Sequence, residues 1–243
     1  MPVTKNRIEK NLAGIRRAIA EACDRAGRDP AGVAIVAVTK AVDTETVRNL
    51  IDAGMTDLGE NRTAQLVDRS QEIDAWLRRR RAEPPAPVRW HMIGHLQRNK
   101  VKAVLPVASV IHSVDSLRLA EEIDSRCERE GQIADVLLQV NCSQEPQKHG
   151  VAVGAAAYLA ELVDSMPHVR LVGLMTLAAM APDPEQARPT FTRLRELYEE
   201  MQHEGTGGAD FRHLSMGMSQ DYTVAVEEGA TILRIGSALF EQP

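Results

Sequence analysis

One lysine, Lys40, directly follows an apolar run that ends in Val36-Ala37-Val38-Thr39. An ammonium group held in apolar surroundings loses hydration, so its pKa falls toward that of a neutral amine, which attacks aldehydes. We therefore predict that Lys40 is a nucleophile that forms a Schiff base. Taken alone, the residue is more typical of a lysine whose ammonium simply reaches solvent at the rim of a barrel.

Two segments near the end of the chain contain the small and hydroxyl residues that phosphate sites use. They are Ser215-Met216-Gly217-Met218-Ser219 and Gly236-Ser237. Small residues let backbone N–H groups converge on an anion, and a helix N-terminus adds further donors. Either segment alone is also typical of an ordinary tight turn, but together, near the ends of two strands, they favour a phosphate site.

Two histidines four residues apart, His91 and His95, resemble one half of a metal site. The intervening Gly94 and the strand-like pattern of the segment break the single helical face that a His-x-x-x-His site needs. We predict a structural hydrogen-bonding role for both histidines and no metal site.

Short apolar runs recur along the chain, separated by amphipathic segments whose apolar residues are three and four positions apart. The runs lie at 33–38, 56–58, 88–93, 109–112, 136–140, 170–175, 211–214 and 231–235. A leading helix ends near Gly27, and a later helix is predicted to be capped by Asp115 and ended by Gly131. Alternating strands and helices imply right-handed crossovers and a parallel sheet. The pattern predicts a single (β/α)₈ TIM-type barrel with a leading N-terminal helix, and an open doubly wound sheet is the alternative.

The carboxyl ends of the strands in such a barrel meet at one rim, where loops after strands seven and eight commonly bind phosphate. Lys40, Asn61, Ser215, Arg234 and Gly236 each lie at or just after the end of a predicted strand. We therefore expect these residues to converge at one end of the barrel.

The size and charge of the chain limit the classes of function. Its 243 residues match the roughly 250 residues of one TIM barrel, so we predict one domain over 1–243. A formal net charge of −5 gives no general attraction to nucleic acid or anionic lipid. The opening residues have no apolar signal segment, and no apolar run approaches the roughly 18 residues of a membrane span. A cytoplasmic protein without membrane or nucleic-acid partners is expected.

Several motifs, in order and at matching spacing from about Val33 to Phe240, closely resemble those of the pyridoxal phosphate homeostasis proteins. They are Ala37-Val38-Thr39-Lys40, Gly59-Glu60-Asn61, the block from Trp90 to Lys100, His112-Ser113-Val114-Asp115, Gln139-Val140-Asn141, Gly173-Leu174-Met175, Leu214 to Ser219, and Arg234-Ile235-Gly236. The block from Trp90 to Lys100 is the most specific of them.

This resemblance implies a barrel like the N-terminal domain of alanine racemase, a fold type III protein of pyridoxal 5'-phosphate (PLP), with PLP as a Schiff base on Lys40. It also implies that Arg234 lies beside the pyridine nitrogen and Asn61 near the ring. A guanidinium cannot accept the ring proton, which makes the cofactor a weaker electron sink. The positions implied for the phosphate are Ser215, Gly217, Ser219, Gly236 and Ser237.

The function implied by the resemblance is that of a carrier that buffers PLP and maintains vitamin B6 and linked amino-acid homeostasis, with no catalytic residue of its own. Alanine racemases take a tyrosine base from a separate C-terminal domain, whereas this chain ends at Pro243 just after the barrel, so a two-base racemase is not expected. The alternatives are a PLP-dependent racemase or lyase, and a barrel that binds another phosphate ester without covalent chemistry. Expected partners are PLP-dependent apoenzymes or enzymes of B6 salvage, and we expect a monomer.

The chain departs from the family pattern near the entrance to the predicted site. No proline follows Lys40, and Leu58 and Arg62 replace an aromatic residue and a tyrosine. His149 stands where a small residue is expected. These changes affect the expected entrance contacts and leave Lys40 in place.

Overall fold

Parallel strands close into a barrel in the order in which they occur along the chain. The computed structural model describes residues 2–80, 84, 86–145 and 147–241. The strands are β1 (Ala34–Val38), β2 (Asp57–Glu60), β3 (Arg89–Met92), β4 (Ala108–Val114), β5 (Ala134–Gln139), β6 (Val169–Met175), β7 (His213–Ser215) and β8 (Ile232–Ile235). The barrel closes where β8 pairs with β1, Ile232 beside Ala34. The predicted (β/α)₈ barrel is confirmed, and the alternative of an open sheet is wrong.

Helices cover the outside of the barrel. They are α1 (Lys5–Ala26), α2 (Thr44–Asp52), α3 (Thr63–Leu77), α4 (Val101–Val104), α5 (Leu117–Glu130), α6 (Val153–Asp164), α7 (Arg188–His203), α8 (Tyr222–Glu227) and α9 (Ser237–Phe240). The leading helix α1 packs on α2, α8 and α9, and it ends as predicted at Gly27, whose φ of +65° suits glycine. Within the described residues, no helix combines the length and apolar composition needed to cross a membrane.

The strands end at slightly different places from those predicted. β2 continues through Glu60 and β4 continues past His112, although polar residues normally interrupt an apolar run. Both side chains are fully buried and are paired with polar groups from other elements. Hydropathy read along one segment cannot detect such partners, so the predicted strands stopped too early.

The helix after β4 begins differently from the prediction. Asp115 does not cap α5, because the helix starts at Leu117 after Ser116 and no side chain caps it. The Asp115 carboxylate lies 3.0 Å from Nδ1 of His95 instead. The predicted end of this helix at Gly131 is confirmed, with φ of +64°.

A separate group of apolar side chains fills part of the barrel interior. Its members are Val36, Val110, Leu137, Val172, Met175 and Ile232. They come from strands that are not all neighbours, so their side chains meet inside the barrel. This packing supports the rim above it, where the predicted site lies.

Replacing Gly173 of β6 with alanine should lower the free energy of unfolding by about 3 kcal/mol or more, because the backbone must shift. Gly173 has φ of +150°, and a Cβ there would overlap the carbonyl of His213 in β7. Urea denaturation measures the change. Gly14→Ala on α1 is the control, because a Cβ at Gly14 would lie in open space. This change should raise the free energy of unfolding by up to about 1 kcal/mol. A Gly173→Ala protein as stable as the parent would contradict this account of the β6–β7 contact.

Candidate functional site

The predicted site residues lie at the carboxyl ends of four successive strands around the barrel, β7, β8, β1 and β2. Lys40 follows β1, Asn61 follows β2, and Gly236 follows β8. A Cβ built on Gly236 would lie 3.6 Å from the Val38 carbonyl oxygen, so the ends of β8 and β1 are in contact. The structure thus brings these residues to one rim, as expected from the topology.

Lys40 is exposed, whereas the residue before it, Thr39, is fully buried. The predicted desolvation of the Lys40 amine is therefore wrong, because burial of the strand stops one residue earlier. The Lys40 carbonyl accepts a hydrogen bond from Nε2 of Gln65 at 3.1 Å. The main chain at Lys40 is held in place while its side chain is open to a ligand arriving from solvent.

A buried arginine on α3, Arg69, fixes the turn that carries Lys40. Its Nη1 donates to Oε1 of Glu60 at 2.6 Å and to the Thr39 carbonyl at 2.5 Å, and its Nη2 donates to the Val42 carbonyl at 2.7 Å. The Thr39 hydroxyl also donates to Oε1 of Glu60, at 2.6 Å. The two carbonyls that Arg69 contacts lie on either side of Lys40, so this cluster orients the turn.

Burial raises the pKa of Glu60, because the loss of hydration outweighs the hydrogen bonds from Thr39 and Arg69. Glu60 belongs to a recognised motif, but Arg69 was missed by sequence reasoning. The available signal is that Arg69 lies on the same face of α3 as the buried Leu66 and Ile73. A charged residue within an apolar helical face indicates a buried partner.

A chain of hydrogen bonds crosses the barrel interior from β8 to β2. Nη1 of Arg234 donates to Oγ of Ser215 at 2.5 Å, and Oγ of Ser215 lies 2.9 Å from Nδ1 of His112. Nε2 of His112 lies 2.9 Å from Nδ1 of His91, whose Nε2 lies 3.0 Å from Oδ1 of Asp57. With both imidazoles neutral, every donor in this chain points from Arg234 toward Asp57. His91 thus has the structural hydrogen-bonding role predicted for it, and His112 has the same role.

Two residues predicted to contact phosphate form hydrogen bonds with Arg234 of this interior chain, and their contact with phosphate stays a prediction. The Ser215 hydroxyl is fully buried and lies between Arg234 and His112. Gly217 is buried against Ala225 of α8, and its carbonyl accepts from the Arg234 backbone N–H at 3.0 Å. Both residues hold Arg234, which also donates from Nη2 to the Thr176 carbonyl at 2.8 Å.

The other predicted phosphate residues form a small cradle at the start of α9. Oγ of Ser219 accepts from the backbone N–H of Gly236 at 3.1 Å and from that of Ala238 at 3.2 Å. The intervening Ser237 is exposed. Backbone donors that converge on one hydroxyl oxygen have the arrangement that a phosphate oxygen requires. We call Ser219, Gly236, Ser237 and Ala238 the α9 cradle.

The fully buried His112 should make stability depend on pH. Burial lowers the pKa of His112 well below its usual range, so below about pH 6.5 the unfolded chain binds a proton here that the folded chain does not. The free energy of unfolding should therefore fall by about 1.4 kcal/mol per pH unit as the pH is lowered from 6.5. Urea denaturation between about pH 7 and pH 5 measures this. His112→Gln should remove that part of the slope, and an unchanged slope would contradict the assignment.

Comparison with known proteins identifies the family. Residues 10–242 match the family model of the alanine racemase N-terminal domain. The pyridoxal phosphate homeostasis protein of Aquifex aeolicus is 38% identical over 231 residues, which is 95% of this chain and 96% of that protein. The chain belongs to the pyridoxal phosphate homeostasis family. The resemblance found in the sequence is therefore confirmed.

A second relative and a solved structure extend the comparison. The Pseudomonas aeruginosa pyridoxal phosphate homeostasis protein is 36% identical over 96% of this chain and 94% of that protein. The solved structure of PipY from Synechococcus elongatus, with PLP bound, has a TM-score of 0.81 and 28% identity over 96% of this chain and 100% of that chain. The family resemblance thus covers the whole barrel in both sequence and structure.

Proposed function

We propose that this member of the pyridoxal phosphate homeostasis family binds PLP as a Schiff base on Lys40 and acts as a carrier that buffers the cofactor for vitamin B6 and linked amino-acid homeostasis. The observation that carries this proposal is that the exposed Lys40 shares one rim of the barrel with the α9 cradle and Arg234. The Lys40 amine condenses with the cofactor aldehyde with loss of one water molecule. The relative that has PLP bound supports the choice of ligand.

The residues around the rim fit the chemical groups of PLP. The backbone N–H groups of the α9 cradle and the Ser219 hydroxyl would hold the phosphate, and Asn61 and Arg234 would contact the ring, with Arg234 on the side of the ring nitrogen. Ser215 and Gly217 act through Arg234, because both contact it directly. When bound, PLP supplies an aldehyde for attachment and a ring that can withdraw electrons.

Arg234 supports a carrier better than an enzyme. Burial lowers the pKa of Arg234 to about 10, so the guanidinium is still a cation near neutral pH. A cation beside the ring nitrogen disfavours protonation of that nitrogen, and the ring is then a weak electron sink. This arrangement therefore stabilises a carbanion only weakly, and racemisation requires a well-stabilised carbanion.

The tyrosines also argue against a two-base racemase. Tyr158 is exposed on α6, and Tyr198 of α7 stacks on Phe211 at a ring distance of 5.1 Å. Tyr222 begins α8, and burial, with a smaller contribution from Glu21 of α1, raises its pKa. A tyrosine with a raised pKa is a poor base near neutral pH. We therefore propose that the barrel over 1–243 acts as a single PLP-binding domain without a reaction of its own.

The proposed setting follows from this role. A buffer of PLP serves apoenzymes that need the cofactor and salvage enzymes that make it, so we propose these as partners of a monomer in the cytoplasm. Transfer to an apoenzyme is then the reaction that defines the function.

A spectroscopic titration tests the cofactor assignment. Purified protein with added PLP should develop visible Schiff-base absorbance that saturates at one cofactor per chain. Reduction with borohydride should fix the cofactor on the peptide that contains Lys40, as seen by mass spectrometry. Label distributed over other lysines would overturn the site, and no visible absorbance would overturn the covalent attachment.

A separate assay tests the carrier against the racemase or lyase. Protein loaded with PLP and supplied with a panel of amino acids should give no turnover, and it should pass its cofactor to a PLP-dependent apoenzyme. Turnover that requires Lys40 would replace the carrier with an enzyme. Transfer no faster than release into solution would contradict direct delivery and would favour buffering alone.

A further inference from the structure

Three side chains from three different rim loops meet at a site that the PLP proposal does not use. His95 follows β3, Asp115 follows β4, and His149 lies in the loop between β5 and α6. One ligand atom from each of them lies within 4.8 Å of the other two. Oδ2 of Asp115 is 3.0 Å from Nδ1 of His95 and 4.0 Å from Nδ1 of His149. We call this group the His–Asp–His cluster.

The two imidazoles of the cluster are stacked face to face. Their ring centroids are 4.0 Å apart and their planes differ by 10°, and Nδ1 of each ring lies within 4.0 Å of the same Asp115 oxygen. Ligand atoms around a tetrahedral Zn²⁺ are separated by about 3.3 to 3.6 Å, given bonds of about 2.0 to 2.2 Å. The observed distances of 3.0 and 4.0 Å bracket that range. Because a ring nitrogen binds a metal in the plane of its ring, both imidazoles rotate out of their stacked arrangement to bind one ion.

The main chain holds each of the three residues independently. Gly94, just before His95, packs so closely on the Asn61 carbonyl that a Cβ would overlap it. Asp115 follows Val114, which is paired with Leu138 of β5.

The loop that carries His149 is also fixed. The His149 carbonyl accepts from Nε2 of Gln139 at 3.0 Å, and the Val151 N–H donates to the Gln139 carbonyl at 2.8 Å. The neighbouring Lys148 is paired with Glu145 and lies 3.4 Å from the Leu177 carbonyl. Its positive charge is thus engaged away from the cluster.

Exposure of the cluster allows an ion to enter. The side chains of His95 and His149 are 38% and 61% exposed, while that of Asp115 is 12% exposed. Two imidazoles and one carboxylate suit Zn²⁺ and similar transition metals, whereas Mg²⁺ and Ca²⁺ prefer oxygen ligands. We propose that His95, Asp115 and His149 bind one divalent transition-metal ion of the Zn²⁺ class, with water completing its coordination.

The metal site shares no residue with the proposed PLP site, because its residues follow β3, β4 and β5 while the PLP residues follow β7, β8, β1 and β2. A bound ion would link the three rim loops that carry these residues. Zinc binding therefore does not depend on Lys40, and the failure of one proposal does not decide the other.

Calorimetric titration of the full chain, free of any histidine tag, metal and PLP, tests this proposal with Zn²⁺ as the probe. The parent and Lys40→Ala should each bind one Zn²⁺ per chain. His149→Ala and Asp115→Asn should weaken binding by more than about 100-fold, beyond the range typical of a lost supporting group. His203→Ala is the matched control, because His203 is an exposed histidine at the end of α7, and it should bind as the parent does.

Absorbance of Co²⁺ in place of Zn²⁺ gives a second readout, since its visible bands report coordination by protein ligands. These bands should appear with the parent and with His203→Ala and disappear with His149→Ala. Circular dichroism shows that each variant is folded. Zinc binding that survives both His149→Ala and Asp115→Asn, or a parent that binds no Zn²⁺, would overturn the site.

Discussion

Lys40→Ala should abolish the visible absorbance that PLP develops on this protein, because an alanine side chain cannot condense with the aldehyde. The α9 cradle and Arg234 remain, so the variant should retain weaker, noncovalent binding of the phosphate. We expect the affinity to fall by more than about tenfold, which corresponds to about 1.4 kcal/mol. Absorbance spectra and equilibrium dialysis with PLP measure the two effects.

Lys102→Ala is the matched control for this change. Lys102 is an exposed lysine on α4, away from the rim segments that follow β8, β1 and β2. It should bind PLP as the parent does, with the same absorbance and the same label after borohydride reduction. A Lys40→Ala protein with the absorbance of the parent would show that another lysine carries the cofactor. Because Lys40 is exposed, the variant should keep its stability.

Arg69→Met should lower the free energy of unfolding by about 3 to 5 kcal/mol, because it leaves the fully buried Glu60 without its ion pair. It also removes the donors to the carbonyls of Thr39 and Val42 on either side of Lys40. Slower or weaker uptake of PLP should therefore accompany the loss of stability. Urea denaturation and the PLP titration measure these two consequences.

The effect of Arg69→Met should depend on pH in a defined direction. Burial already raises the pKa of Glu60, and removal of Arg69 raises it further, so the folded variant binds a proton that the unfolded chain releases. The stability deficit should then be larger near about pH 8 than near about pH 5. Glu60→Gln combined with Arg69→Met should recover part of the loss, because no buried charge remains.

The exposed pair of Arg126 and Glu122 provides the control. Both side chains are about one-third exposed and lie 2.7 Å apart on α5, and Arg126→Ala should cost no more than about 1 kcal/mol. If Arg69→Met cost no more than this, the Arg69 cluster would not be what fixes the Lys40 turn.

Much of the fold follows from local patterns in the chain. Buried parallel strands are short and apolar, helices repeat every three to four residues, and a glycine such as Gly27 ends a helix wherever a left-handed residue is needed. These signals lie within a few residues of each other, so a single sequence reveals them. The order of strands and helices then restricts the topology to very few choices, and the closed barrel was among them.

Strand order also predicted, from the sequence alone, that the rim residues lie close together. Lys40, Asn61 and Gly236 are far apart in sequence, but all three follow strands of one parallel sheet, whose carboxyl ends share one edge. Family motifs added the identity of the cofactor to this geometry. The sequence alone therefore determined the barrel and its rim, and it predicted Lys40 as the residue that binds the cofactor.

Only the tertiary structure decided which polar groups are buried and with what partner. Arg69 reaches Glu60 from another element, Ser215 turns inward to Arg234, Lys40 is exposed, and the His–Asp–His cluster forms from three separate loops. Each of these depends on the distance between side chains that are remote in sequence, and hydrogen bonds and ion pairs act only over a few ångströms. Local sequence patterns give no information about such distances. The contacts that position the site residues can therefore be identified only in the folded barrel.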